Sequence, residues 1–152
     1  MSDLQHTSES SIEAELKENG VYVSTTVGVS MKPMLRNRRD RIVLLPVGDR
    51  ALQKWDLPMY RRPDGKYILH RIIEVKEDHY VIRGDNTFSK EYVPREWILG
   101  YVSEFYRGKK HISTDSRAYR FYAAFWHAIY PLRVPLHKLR ILASTIKHKL
   151  IK

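Results

Sequence analysis

The sequence predicts a mainly β domain, a coiled and barrel-like sheet, with a short N-terminal helix before it and a basic, aromatic-rich helical tail after it. Three observations carry that reading. Short β-branched and aromatic runs recur between turn signals as far as residue 108. The one helix-like stretch ahead of them stops at Gly20. After Asp115 carboxylates cease, and aromatic and apolar residues take up helical spacing. The implied division is a polar start and helix over residues 1–20, a β domain over 21–116 and a basic tail over 117–152.

The elements follow in order. Residues 1–10 read as a loose polar start. In SSIEAELKENG, Ser10 and Glu13 have the spacing of a capping box, Ile12 and Leu16 share a face, and Gly20 is a natural stop. VYVSTTV (21–27) alternates as a strand, and residues 28–33 turn out of it. RIVLLPV (41–47) is a second strand and LPMYRR (57–62) a third, where Pro58 calls for an edge or a bulge. Pro63-Asp64-Gly65 is a turn. KYILHRIIEV (66–75) is the tightest strand, and HYVIRG (79–84) completes a β-hairpin with it. WILGYVSEFYRG (97–108) is the last strand. In the tail, AYRFYAAFWHAIY (118–130) suits a helix that Pro131 and Pro135 break. A basic amphipathic pattern then resumes, with Leu136, Leu139, Leu142 and Ile146 at helical spacing.

Composition narrows the class. With 43% hydrophobic and 29% charged residues in 152, this is globular rather than disordered protein. The lack of cysteine removes a disulfide framework, thiolate-bound metal and a Cys nucleophile. No cofactor or metal site is expected. No uncharged apolar run reaches the roughly 18 residues of a span, and MSDLQHTSES lacks the pattern of a signal peptide. A cytoplasmic or peripherally membrane-attached protein is expected. The net charge of +10 is uneven: 8 cations and no carboxylate lie from Arg117 onward. That leaves 19 of the 27 basic residues against all 17 acidic ones in residues 1–116. The cationic tail suits anionic lipid headgroups, nucleic acid or acidic protein surfaces.

Three local features could carry chemistry. Ser30, two residues after Gly28 on a post-strand turn, sits where a sharp turn would leave its hydroxyl exposed and its N–H facing a carbonyl oxygen, as an oxyanion hole requires. His70 lies in an apolar strand whose alternation groups it with Ile68 and Ile72, and an imidazole is the natural base for a Ser hydroxyl. Arg83-Gly84-Asp85-Asn86, then Glu91, place carboxylates just beyond the hairpin, where an acid could orient that imidazole. Singly, each has a plain structural reading: a glycine-containing loop, a core histidine or a turn.

Taken in order, they resemble a known family. GVSMKPML resembles the nucleophile box of type I signal peptidases, in the superfamily that includes LexA-type repressors. YILHRIIEV resembles the general-base strand, and VIRGDN the Gly-Asp-Asn box. The resemblance covers residues 21–105 and, with His70 where many members have Lys, follows the His-type branch. It implies Ser30 as nucleophile, His70 as general base and Glu91 as third acid, where that branch has Asp. Asp85 braces the site loops or substitutes as the orienting acid. Met31, Pro33, Arg71, Gly84 and Asn86 are the structural neighbours. The oxyanion role falls to backbone N–H groups, Ser30 chiefly and the Gly28 region. Two departures are the missing N-terminal anchor ahead of Ser30 and Gly28 where many members carry a second oxyanion hydroxyl. The implied activity is a serine endopeptidase acting on an extended leader or signal-type segment, with small residues flanking the scissile bond. The substrate would pair with strand edges, expected at RIVLLPV and the stretch before Gly28.

Two rivals differ in class. A LexA-like self-cleaving regulator is disfavoured, since residues 1–29 are too few for a helix-turn-helix and no Ala-Gly or Cys-Gly bond precedes Ser30. The other is a non-catalytic peptide- or membrane-binding module on the same fold. For residues 117–152 two readings stand: an interfacial anchor on anionic membrane, or an aromatic helix packed on the sheet with its basic face in water. Nucleic acid is not expected, because no nucleic-acid module accompanies the charge.

Overall fold

β-branched and aromatic residues in short alternating runs cannot bury one face alone, so they pair into sheets around a shared core. The structure, a computed structural model, describes residues 10–150, with side chains from Ile12 onward. Its elements are α1 (Ser10–Asn19), β1 (Tyr22–Thr25), β2 (Arg41–Leu45), β3 (Pro58–Arg61), β4 (Tyr67–Leu69), β5 (Arg71–Val75), β6 (His79–Arg83), β7 (Glu91–Pro94), β8 (Ile98–Arg107), β9 (Lys110–Ser113), α2 (Arg117–Ala128) and α3 (Tyr130–Leu150). The fold is mixed α/β with mostly strands, built on a curled, half-barrel antiparallel sheet.

That sheet runs β1-β2-β8-β3-β4, with β9 also on β8; a second sheet runs β5-β6-β7. The ten-residue β8 is the spine, pairing β2 on one flank and β3 and β9 on the other. A register shift between Val43 and Leu44 leaves Ser103 unpaired there, so Val102 and Phe105, three residues apart, are both buried. They join Leu44, Leu57 and Tyr119 in one core cluster; Tyr60, Ile72, Ile82 and Val93 centre a second.

The N-terminal helix forms as expected: Leu16 is buried, Ile12 packs beside it, and Gly20, at φ 69°, donates its N–H to Leu16 O at 3.1 Å. The loose start at residues 1–9 and the Ser10 side chain of the capping box lie outside the described residues. Pro58 is not on an edge, because β3 lies between β8 and β4; it is tolerated as the first strand residue, next to a register shift between Met59 and Tyr60. The strand expected over 66–75 is two strands, broken at His70, where the chain leaves one sheet for the other. The hairpin of β5 with β6 is present. β7 and β9 escaped the sequence reading, being four residues each and partly polar.

The tail forms two helices that meet at a different residue from the expected break. α2 belongs to the core, with Tyr119 and Ala123 buried, and Ser116 caps it by accepting the Tyr119 N–H at 3.2 Å. The helix break falls at Ile129. Pro131 sits in the first turn of α3, where its missing N–H has no partner to lose, and Pro135 lies within that helix. No helix among the described residues is long and apolar enough to cross a membrane.

Gly100 lies where β2 crosses β8, and a Cβ there would stand 2.5 Å from Leu45 O. Gly100→Ala is expected to lower unfolding free energy by about 1–3 kcal/mol, as overpacking does, read as a lower urea midpoint.

Candidate active site

The Ser30 loop is held from both ends. At its far end, buried Asp40 accepts the Arg36 N–H at 2.7 Å and the Arg36 guanidinium. Burial works to raise the Asp40 pKa, but the Arg36 bonds outweigh it and hold the carboxyl below its usual range. At the near end, Gly28 has φ 102°, a left-handed conformation that favours glycine, and its N–H donates to Asn37 Oδ1 at 2.8 Å. That N–H is therefore engaged. Of the two expected oxyanion donors, Ser30 N–H is the one left without a partner among the described residues. The side chain of Met31 is buried beneath the loop, and Pro33 follows a cis bond at its exposed rim.

The Gly-Asp-Asn turn docks directly on this loop. Asn86 N–H donates to Ser30 O at 2.7 Å and Asn86 Nδ2 to Val29 O at 3.1 Å, while Asp85 N–H approaches Met31 Sδ at 3.5 Å. A Cβ on Gly84 would meet Ser30 O at 2.8 Å. Close backbone approach, rather than a special φ, is what requires glycine there.

Asp85 makes no hydrogen bond to His70 among the described residues. It is buried and takes a two-pronged bond from Arg71, Nε to Oδ1 at 2.7 Å and Nη2 to Oδ2 at 2.8 Å. Arg71, also buried, donates further to Tyr119 Oη at 2.8 Å, and Tyr119 in turn donates to Trp55 O at 2.8 Å. Burial pushes the Tyr119 phenol up to about 12. Asp85 O accepts from Trp126 Nε1 at 2.9 Å and from Arg133. The turn beside Ser30 is thus anchored through β5 and α2.

The acid that the structure brings to His70 is Glu91. In the second sheet Ile72 pairs with Ile82 and Ile82 with Glu91, so the first residue of β7 stands two strands from the start of β5. Glu91 Oε1 lies 3.4 Å from His70 Nδ1. Nδ1 is buried without an aligned hydrogen bond; contacts of this kind in unliganded sites are commonly long and tighten on binding. Burial holds the His70 pKa below the ordinary imidazole value, the Glu91 charge opposing that shift and Arg62 adding to it. Glu91 is gripped by Arg62, whose Nε donates to Oε2 at 2.9 Å and whose Nη2 bonds Oε1. Burial works to raise the Glu91 pKa, but Arg62 outweighs it and holds the carboxyl low. Burial and the Glu91 charge also raise the Tyr60 phenol, whose ring meets His70 edge-on at 6.5 Å. Arg62 and Tyr60 were missed in the sequence, where LPMYRR carries only a strand signal.

Ser30 and His70 line one open cleft of about 460 Å³, with residues 24–28 on one side and 67–69 on the other. These flanks are the end of β1 with the residues that follow it, and β4; the two strands are the ends of the half-barrel strand order. β2 cannot offer an edge, being paired on both sides, so RIVLLPV is replaced by β4 as the second strand bordering the cleft. No group of three or more His, Cys, Asp or Glu side chains among the described residues could hold a metal ion.

No protein-family model matches the chain, and no curated protein matches it.

Asp85→Ala leaves the Arg71 guanidinium buried without its carboxylate and is expected to cost about 3–5 kcal/mol of stability, measured by urea denaturation. Gly84→Ala, which pushes on Ser30 O, is expected to destabilise less than Asp85→Ala.

Proposed function

We propose that the protein is a serine endopeptidase of the type I signal peptidase kind, its half-barrel being that superfamily's β domain. Ser30 is the nucleophile, His70 the general base, Glu91 the orienting acid, and Arg62 the residue that positions Glu91. The observation carrying this reading is that Ser30 and His70, far apart in sequence, line one cleft while an ionised carboxylate stands beside His70 Nδ1.

The chemistry follows from those groups. Ser30 Oγ attacks the scissile carbonyl carbon as its proton passes to His70 Nε2, the ring nitrogen away from Glu91. The oxyanion receives the Ser30 N–H. Collapse breaks the C–N bond, His70 returns the proton to the leaving amine, and water then hydrolyses the acyl-enzyme by the same relay. A base must be neutral to accept a proton, and burial favours the neutral imidazole at pH 7. An extended substrate segment fits between β1 and β4, adding main-chain hydrogen bonds to a sheet edge. Val27 and Val29, exposed next to the cleft, suit an apolar leader or signal-type segment.

Ser30→Ala and His70→Ala are each expected to abolish cleavage of a peptide library read by mass spectrometry, with thermal unfolding unchanged. A serine-directed acylating probe should label the wild type at Ser30; labelling that persists in Ser30→Ala, or cleavage surviving either substitution, would falsify the reading and favour a binding module.

The pH profile tests the acid. The acid limb of kcat/KM is expected below the ordinary imidazole value of about 6.5. Removing a nearby cation favours imidazolium, so Arg62→Gln moves that limb to higher pH. Removing the anion does the reverse, so Glu91→Gln moves it lower and slows turnover.

A further inference from the structure

The twenty-one residues of α3 include none that is buried, although the helix is rich in leucine and isoleucine. Its first turns are fixed to the domain on one side. Tyr130 Oη donates to Phe88 O at 3.1 Å, Arg133 bonds Asp85 O, and His137 stacks on Phe88 at 4.2 Å. At about 100° per residue these three share one face, whereas Leu132, Leu136, Leu139, Ala143, Ile146 and Leu150 fall within about 40° of a line on the opposite side. Leu139 is 60% exposed and Leu150 80%. Phe121 and Phe125 of α2, stacked on each other at 6.3 Å, are exposed as well. A monomer in water rarely presents so continuous an apolar stripe without a use for it.

The charges decide between occupants. Lys138, Arg140, Lys147 and Lys149 flank the stripe, form no ion pair among the described residues, and are joined by no carboxylate anywhere after Asp115. A second copy laid along the stripe would bring like charges together with nothing to offset them. Nucleic acid would use the cations but leave the leucines in water. A bilayer with anionic headgroups uses both: leucines enter the acyl boundary while Lys and Arg stems extend to the phosphates.

We propose that α3 docks in the plane of an anionic membrane surface through its Leu132–Leu150 stripe. The clasp on Phe88 and Asp85 ties the docked helix to the turn that holds Ser30, so the cleft sits at a fixed attitude to the lipid. This surface stands whether or not the cleft is catalytic.

The test is flotation of the full chain with phosphatidylcholine vesicles, with and without phosphatidylglycerol. The wild type should float with the anionic vesicles, and salt should weaken that binding. Leu139→Asp with Ile146→Asp should reduce binding by more than about tenfold. Lys147→Glu with Lys149→Glu should weaken it on anionic vesicles, and domain unfolding should be unchanged in both because the side chains are exposed. The proposal is overturned if the wild type stays unbound, if the Leu139/Ile146 variant floats like it, or if duplex DNA is bound in place of vesicles. A wild-type dimer that the same variant splits would equally overturn it.

Discussion

A guanidinium removed from water must have its charge balanced and its N–H groups matched, and Arg71 is in that position at the centre of this protein. Its planar fork meets Asp85, Nη1 reaches Tyr119, Nη2 also reaches Met34 Sδ, and each partner belongs to a different part of the chain. Directional bonds at a low-dielectric site leave little freedom to slide. The ion pair therefore sets where the Gly84–Asn86 turn sits against β5 and α2. Because Asn86 then bonds Ser30 O, it also sets where the Ser30 loop sits.

Glu91 is placed by another logic. It is half-buried, shared between Arg62 and His70, and its carboxylate is kept ionised by the arginine. One pair lies in the core and one beside His70: Asp85 holds the turn at Gly84–Asn86, and the Glu91 charge acts on the imidazole. Two carboxylates six positions apart in sequence thus differ in surroundings, one buried against Arg71 and the other half-buried between Arg62 and His70.

The C-terminal region shows the same contrast between interior and surface. α2 puts Tyr119 and Ala123 into the core and spends the charge of Arg120 on Asp56 at 2.6 Å. α3 carries four distal cations that form no ion pair among the described residues, and it leaves its leucines in solvent.

Local patterns determined much of this molecule. The helix that stops at Gly20, the turn at Gly28 and the hairpin of β5 and β6 follow from short-range sterics and alternation. Tertiary structure decided the rest. The break of one apolar strand at His70, the interior place of β3, the choice of Glu91 over Asp85, the arrival of Arg62 and the burial of Tyr119 depend on which distant segments meet. Residue spacing encodes backbone periodicity, but a carboxylate's partner is fixed only when packing leaves one cation within reach and buries the other.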